Sequence, residues 1–338
     1  MFRPKYTVTN KLLSNIKQVN SIVLDLNNRR FPKIVLYELE RNAREISSYA
    51  STSIEGNPLP LTDVKQIIKN QPQNLSSSEQ EVINYNNALK NLNRSPISFN
   101  LALIFATHHE VVNKLLPKYQ PGKLRQEPVF VNDPRTRRTI YWPPDAQNVP
   151  ELMKDLVEFV NLGNATVDSL IIAGIFHKQF VIIHPFADGN GRTARLVTKV
   201  ILRDLGLNTF NLFSFENFYN KNVTNYFNSV GVLGNYYDIV NSIDFTGWLE
   251  YFTDGIIDEL LRVKKLLSES SVSPKTELTP YHKKILEFIK DRGYIADRDY
   301  VKLTDRANST RSLDFKNLID MGIIERKGKG KAIYYKFK

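Results

Sequence analysis

The 338-residue chain predicts a mainly α protein: a helical core that carries a short β-hairpin flap, followed by a small basic C-terminal domain. Three observations predict it. Apolar residues recur at helical spacing through roughly the first 270 positions. One β-prone stretch, VFVNDPRTRRTIYWPP, interrupts that pattern. The Ser/Thr/Pro-rich run SESSVSPKTELTP at 268–280 then sets apart a tail with 16 basic against 9 acidic side chains beyond residue 274.

The helices follow in order. LYELERNAREISSYA is amphipathic, and two helices after it open on residues suited to accept orphaned amide protons, Thr62 before DVKQIIK and Ser78 before EQEVINY. SPISFNLALIFATHHEVVNKLL is followed by the hairpin, whose polar turn holds Asn132, Asp133 and Pro134, and then by NVPELMKDLVEFVNL. VDSLIIAGIFHKQFVII is apolar on nearly every face, as a helix at the centre of a bundle is. A last long helix spans Phe245 to Leu267. The predicted division is an N-terminal helical region 1–100, a core 101–267, a linker 268–280 and a domain 281–338. In that domain helix, short helix near Arg298 to Leu303, helix from about Ser309 to Met321 and two strands around a basic glycine turn follow the order of a winged helix-turn-helix.

The bulk properties narrow the function. A formal charge of +11 points to an anionic partner, with a generally basic surface as the alternative. Absence of cysteine excludes disulfides, thiolate nucleophiles and cysteine-bound zinc. The first residues lack the pattern of a secretory signal, and no apolar run reaches the roughly 18 residues of a membrane helix. The expectation is a soluble, cytoplasmic protein.

The chemistry concentrates in HPFADGNGRTAR, residues 184–195. Helical spacing resumes after it, so DGNG is a loop entering a helix N-terminus, where the amides of Gly189, Asn190 and Gly191 and the helix dipole favour an anion. Arg192 and Arg195 lie three apart on the first turn and can hold polyphosphate oxygens by bidentate bonds. Asp188 is placed to hold Mg²⁺, a cation commonly bound by one or two carboxylates plus substrate phosphates. His184 titrates near neutrality and can take the proton of an attacking hydroxyl. The ensemble describes nucleotidyl transfer. Two rivals are weaker: Gly189, Gly191 and Ala194 satisfy a dinucleotide pattern, but the alternating strands of a parallel sheet are missing. His109-Glu110 starts a zinc-helix motif that fails at Asn113, which leaves His108 and His109 as core or surface helix residues.

The twelve residues match HPFx[D/E]GNGRxxR at every specified position, and PGKLRQEPVFV, IYWPP and HKQFVIIHPF agree around them. Over about 30–260 the chain therefore resembles the Fic family. The resemblance implies the helical Fic core and transfer of AMP from ATP to a hydroxyl of a target protein. By it His184 is the base, Asp188 the Mg²⁺ ligand, Gly189, Asn190 and Gly191 the anion hole, and Arg192 and Arg195 the phosphate holders. Phe186 anchors the loop, and the flap from Arg125 to Tyr141 aligns the target backbone by strand addition. It also implies a homodimer. Tyr219, Tyr226, Tyr236 and Tyr237 read as packing residues, with any exposed one an AMP acceptor.

Upstream, Ser51-Thr-Ser-Ile-Glu55-Gly56 resembles the family's inhibitory motif [S/T]xxxE[G/N], placed in an N-terminal helix at about 34–56. A Glu55 carboxylate on Arg195 would remove the guanidinium that a γ-phosphate needs. What some relatives of the resembled family imply is a second role for this glutamate, assisting hydrolytic removal of AMP, and the sequence leaves the direction open. Two other functions stay open: a nucleotide-sensing, DNA-binding transcription regulator, and a deAMPylase or a transferase using another phosphate donor. DNA contact would run through the helix near 309–321 and Lys327, Lys329 and Lys331 on the wing, tempered by Asp314 and Asp320.

Overall fold

Helical periodicity becomes helix over most of the described residues before 270. The computed structural model describes residues 2–29, 31, 33–93, 98–133, 136–163, 167–203, 211–269 and 278–338. The chain divides into two units, Met1–Arg29 with Leu39–Leu266, and Arg30–Glu38 with Leu267–Lys338. In chain order the elements before the hairpin are α1 (Asn10–Asn27), α2 (Lys33–Ile54), α3 (Leu61–Asn70), α4 (Ser77–Leu92) and α5 (Leu101–Val111). After β1 (Val131–Asn132) and β2 (Thr139–Trp142) come α6 (Val149–Gly163), α7 (Ser169–Ile183), α8 (Asn190–Leu202), α9 (Phe215–Lys221) and α10 (Val223–Val230). Then follow β3 (Gly234–Asn235), α11 (Tyr236–Ile239) and α12 (Thr246–Glu269).

α7 is the axis of the first unit: every residue except Ser169 and Val181 is buried, which is why its sequence is apolar all round. Gly174 lets α12 close on it. A Cβ there would lie 2.7 Å from Leu249 Cδ2, while Trp248 Nε1 donates to the Gly174 carbonyl at 2.7 Å. Two predicted caps are displaced. Pro60 takes the cap position of α3 without a side-chain bond, putting Thr62 inside the helix. Ser76, not Ser78, caps α4, in a reciprocal capping box with Glu79.

The hairpin forms with Val131 opposite Tyr141 and Asn132 opposite Thr139. β3, which the sequence reading did not anticipate, adds to it in parallel with Tyr141 opposite Gly234, leaving β1 at the sheet edge. Pro134 of the predicted turn lies outside the described residues.

In the second unit, α13 (Pro280–Arg292) ends at Gly293 with φ +84°. It is followed by α14 (Asp297–Tyr300), α15 (Asn308–Asp320) and the antiparallel pair β4 (Ile324–Lys327) and β5 (Tyr334–Phe337). Phe315 stacks on Tyr335 at 4.0 Å, and Tyr37, in the unit's 30–38 segment, lies 6.4 Å from Phe337. Asp314, named above as tempering nucleic-acid contact, does not lie on the exposed face of α15. It is buried and accepts from Arg306 at 2.8 Å and from Tyr300 at 2.8 Å. Most of the predicted linker 268–280 lies outside the described residues, and α12 runs on to Glu269. No described helix is long and apolar enough to cross a membrane.

Candidate active site

The end of α7 delivers the site. His184 caps that helix in the left-handed region, φ 51°, with its amide on Phe180 O at 3.0 Å. A non-glycine residue is uncommon there and persists where its surroundings hold it. Its Nδ1 lies 3.2 Å from Val181 O, so Nδ1 carries the proton and Nε2 keeps the lone pair. Burial lowers the pKa of His184, which favours the neutral base.

The loop after His184 is clamped from three sides. Asn190 accepts from the Phe186 amide at 2.9 Å and donates to the Phe186 carbonyl at 2.9 Å. Phe186 is fully buried, with its ring 3.7 Å from that of His108 and nearly parallel to it. Gly122 N donates to His108 Nδ1 at 2.9 Å, so His108 Nε2 donates to Asp188 O at 3.0 Å. Arg125 donates to His184 O at 2.8 Å while its own amide donates to Pro185 O at 2.9 Å. Tyr141 donates to Ile182 O at 2.8 Å. Arg125 and Tyr141, the two ends of the predicted flap, are thus buried and turned toward the loop, while Phe130 just before β1 and Trp142 at the end of β2 are exposed apolar groups.

His108 gives this clamp a pH signature. Burial lowers its pKa to about 4 from an ordinary 6.5. Above pH 6.5 both folded and unfolded chains hold it neutral; between 6.5 and 4 the unfolded chain binds a proton that the folded chain refuses. Stability from this source is complete above 6.5 and is lost as pH falls, by about 3 kcal/mol in all. Denaturant melts at pH 7 and 4.5 should show a larger loss for the wild type than for His108→Gln. Equal losses would contradict this.

The helix start that follows holds the charges. Gly189 has φ +78°, and a Cβ on it would lie 2.7 Å from Val112 Cγ1, so both conformation and space call for glycine. Its amide donates to Asp188 Oδ1 at 2.6 Å. Asp188 is 57% exposed at its side chain and accepts from Arg192 NH2 at 3.1 Å. The other guanidinium nitrogen of Arg192 bonds Glu81 on α4, and its buried Nε has no partner.

Arg195 is wholly buried. It donates from Nε to Ser51 Oγ at 2.8 Å, and from NH2 to Ser51 O at 2.9 Å and Glu55 Oε1 at 2.6 Å. Burial is the largest single influence and works against its charge, but Glu55 together with Tyr226 and Tyr85 outweighs it and the pKa is raised. Glu55 also lies against the glycine loop, since a Cβ on Gly191 would be 2.3 Å from its Oε1. A carboxylate oxygen therefore sits between the anion loop and the second arginine. Gly56, φ +92°, ends α2 just past it. α2 is seated on the core by a polar stripe. Ser47 accepts from Lys199 at 2.8 Å, and Lys199 pairs with the buried Glu216 at 2.9 Å.

Behind Arg195 runs a directed chain. Arg195 NH1 donates to Tyr226 at 3.4 Å, Tyr226 donates to His177 Nε2 at 3.0 Å, and His177 Nδ1 donates to Thr198 Oγ1 at 3.2 Å. Thr198 in turn donates to Ala194 O at 2.7 Å. Tyr226→Phe leaves His177 without its donor and should cost about 1–3 kcal/mol in a thermal melt. No change would remove the chain as a support. Of the four tyrosines singled out, Tyr219, Tyr226 and Tyr236 are buried and Tyr237 is exposed.

Every motif residue is therefore gathered at one place, with Ser51, Glu55 and Gly56 against it. Sequence reasoning missed Glu81 and His177, read Tyr226 only as a packing residue, and treated His108 only as a failed zinc motif. No described group of three or more acidic or histidine side chains could hold a metal alone. An exposed Asp188 oxygen is a fitting single ligand for Mg²⁺ when nucleotide phosphates supply the rest.

Known proteins bear on this geometry. Residues 98–202 match the family described as Fic/DOC. The chain is 32% identical over 167 residues to protein adenylyltransferase fic-1 of Caenorhabditis elegans, covering 47% of this chain and 31% of that protein. It is 31% identical over 211 residues to the Caenorhabditis briggsae protein of the same name, covering 59% and 40%. It spans less than half the length of these curated relatives. A Fic family protein from Desulfovibrio desulfuricans superposes with a TM-score of 0.65 at 21% identity, covering 100% of this chain and 98% of that one. Fic-1 from C. elegans gives 0.61 at 24% identity, covering 77% and 74%. The chain thus has the fold of these solved structures, and its residues 98–202 match the Fic/DOC family.

Proposed function

We propose that the chain is a protein adenylyltransferase that moves AMP from ATP to a hydroxyl of a protein and is held off by its own Glu55. One observation carries the reading most. The loop from His184 to Arg195 presents a base with a fixed tautomer, a carboxylate and an anion-binding helix start, and a carboxylate of the same chain occupies the anion position. The adenylyltransferase names of the curated relatives agree with it.

His184 Nε2 takes the proton of the attacking hydroxyl as its oxygen bonds the α-phosphorus. The bond from that phosphorus to the oxygen bridging to the β-phosphate breaks, and diphosphate leaves with the electron pair. Amides of the helix start and the two arginines stabilise the charge that develops. Mg²⁺, held at Asp188, would supply further neutralisation of phosphate charge. β1, at the sheet edge, is where a target segment pairs by strand addition. Glu55 keeps Arg195 from the γ-phosphate.

Intact-mass measurement tests this. Glu55→Gly chain incubated with ATP and Mg²⁺ should gain the mass of one or more AMP groups, and the wild type far less. No gain in either would overturn the reading.

For the second unit the reading is a winged helix touching nucleic acid through its wing more than its helix. The exposed face of α15 offers Ser309, Ser312 and Leu313 with one cation, Lys316, set against one acid, Asp320, while Arg326 and Lys329 on the wing are exposed. Lys327 is tied to Glu325 at 2.9 Å. With about three phosphate contacts, the affinity for random duplex should fall with a log–log salt slope of about −3. An anisotropy titration at two salt concentrations checks it; absence of binding at low salt favours a protein-docking unit.

A further inference from the structure

We propose that Glu81 is a positioning residue for Arg192, and that Asn57 makes its grip part of the same segment that presents Glu55. The inference rests on the adenylyltransferase reading for its substrate.

Arg192 and Glu81 bond with side chains only 5% and 16% exposed. A buried guanidinium stripped of its carboxylate is costly, so this pair fixes where the first motif arginine stands. Among the described residues Arg192 pairs with one other carboxylate, Asp188, at 3.1 Å from Nη2 and one helical turn before it. Glu81 therefore sets how much of the cation Asp188 must share. With Glu81 charged, Arg192 is neutralised from the α4 side and Asp188 keeps negative charge for Mg²⁺. With the Glu81 carboxylate replaced by an uncharged side chain, the whole cation falls on Asp188 and competes with the metal.

Glu81 is itself held. Its Oε2 accepts from Asn57 Nδ2 at 2.6 Å, and the same nitrogen donates to Ser78 O at 3.0 Å. Asn57 is locked to the end of α2, its amide on Thr52 O at 3.1 Å and its Oδ1 accepting from Leu59 N at 3.2 Å. Residues 55–57 thus engage both motif arginines, Arg195 directly through Glu55 and Arg192 through Asn57 and Glu81. A segment that lifts off the first releases the brace of the second.

The test uses the full chain carrying Glu55→Gly and a non-transferable ATP analogue with a methylene group between its α- and β-phosphates, titrated calorimetrically with and without Mg²⁺. Adding Glu81→Gln should reduce the affinity gained from Mg²⁺ about tenfold and change metal-free affinity far less. Glu81→Asp, which keeps the charge, should recover part of the loss. Asn57→Ala, at a partly exposed site, should act in the same direction more weakly and add little to Glu81→Gln. Equal loss with and without metal, or no loss, overturns the positioning role. Full additivity of Asn57→Ala overturns the coupling. Should Glu81→Gln fail to fold, an unchanged Mg²⁺ gain in Asn57→Ala overturns the inference. A Glu55→Gly chain that binds no analogue at all contradicts the adenylyltransferase reading instead.

Discussion

Glu55→Gly should raise AMP incorporation by about 10- to 150-fold, the span of a charge-assisted hydrogen bond of about 1.5–3 kcal/mol that ATP no longer has to displace. The same change strips a fully buried guanidinium of its carboxylate. Without nucleotide the variant should therefore melt lower than the wild type, since an uncompensated buried charge costs on the order of 3 kcal/mol. ATP restores an anion beside Arg195, so added nucleotide should raise the melting temperature of the variant more than that of the wild type. A variant that is more active yet equally stabilised would separate activation from Arg195 and place the brake elsewhere.

His184→Ala, in the Glu55→Gly background, should lower the rate by about 10²–10⁴-fold while leaving nucleotide affinity within a few-fold, the share usual for a positioned general base. Quenched time courses with saturating ATP check it. Because burial lowers the pKa of His184 below its ordinary 6.5, the released enzyme should hold its full rate down through neutrality and lose it only as pH falls past that lowered value. A rate that climbs through pH 7 to 8 would assign the base to another group.

What could be read from the sequence follows from how local each feature is. HPFADGNGRTAR holds base, carboxylate, anion loop and arginines within one turn and one helix start, so their order alone conveys the chemistry. Glu55 was legible through a short motif, although its contact spans 140 residues. Glu81 was not: it is one of several acids and amides on α4, and only folding brings it to Arg192, 111 residues on. Tyr226 read as a packing residue and His177 was not singled out, lying in a helix apolar on nearly every face; their polar atoms matter through neighbours that only folding supplies. Arg125 lay in a stretch read as a target-facing flap, yet the backbone turn around His184 needs a multiple donor, and a buried arginine supplies it. β3 has two residues, too few for any pattern. Asp314 was read as an acid tempering nucleic-acid contact, whereas Arg306 and Tyr300 satisfy it inside.

The central claim is that the site transfers the nucleotidyl group and that Glu55 restrains it. Glu55→Gly chain should be incubated in parallel with ATP labelled on the α-phosphate and with ATP labelled on the γ-phosphate. Label should enter the protein from the α position only, with diphosphate released in step, and should be lost on adding His184→Ala. Equal or greater labelling from the γ position would contradict the account.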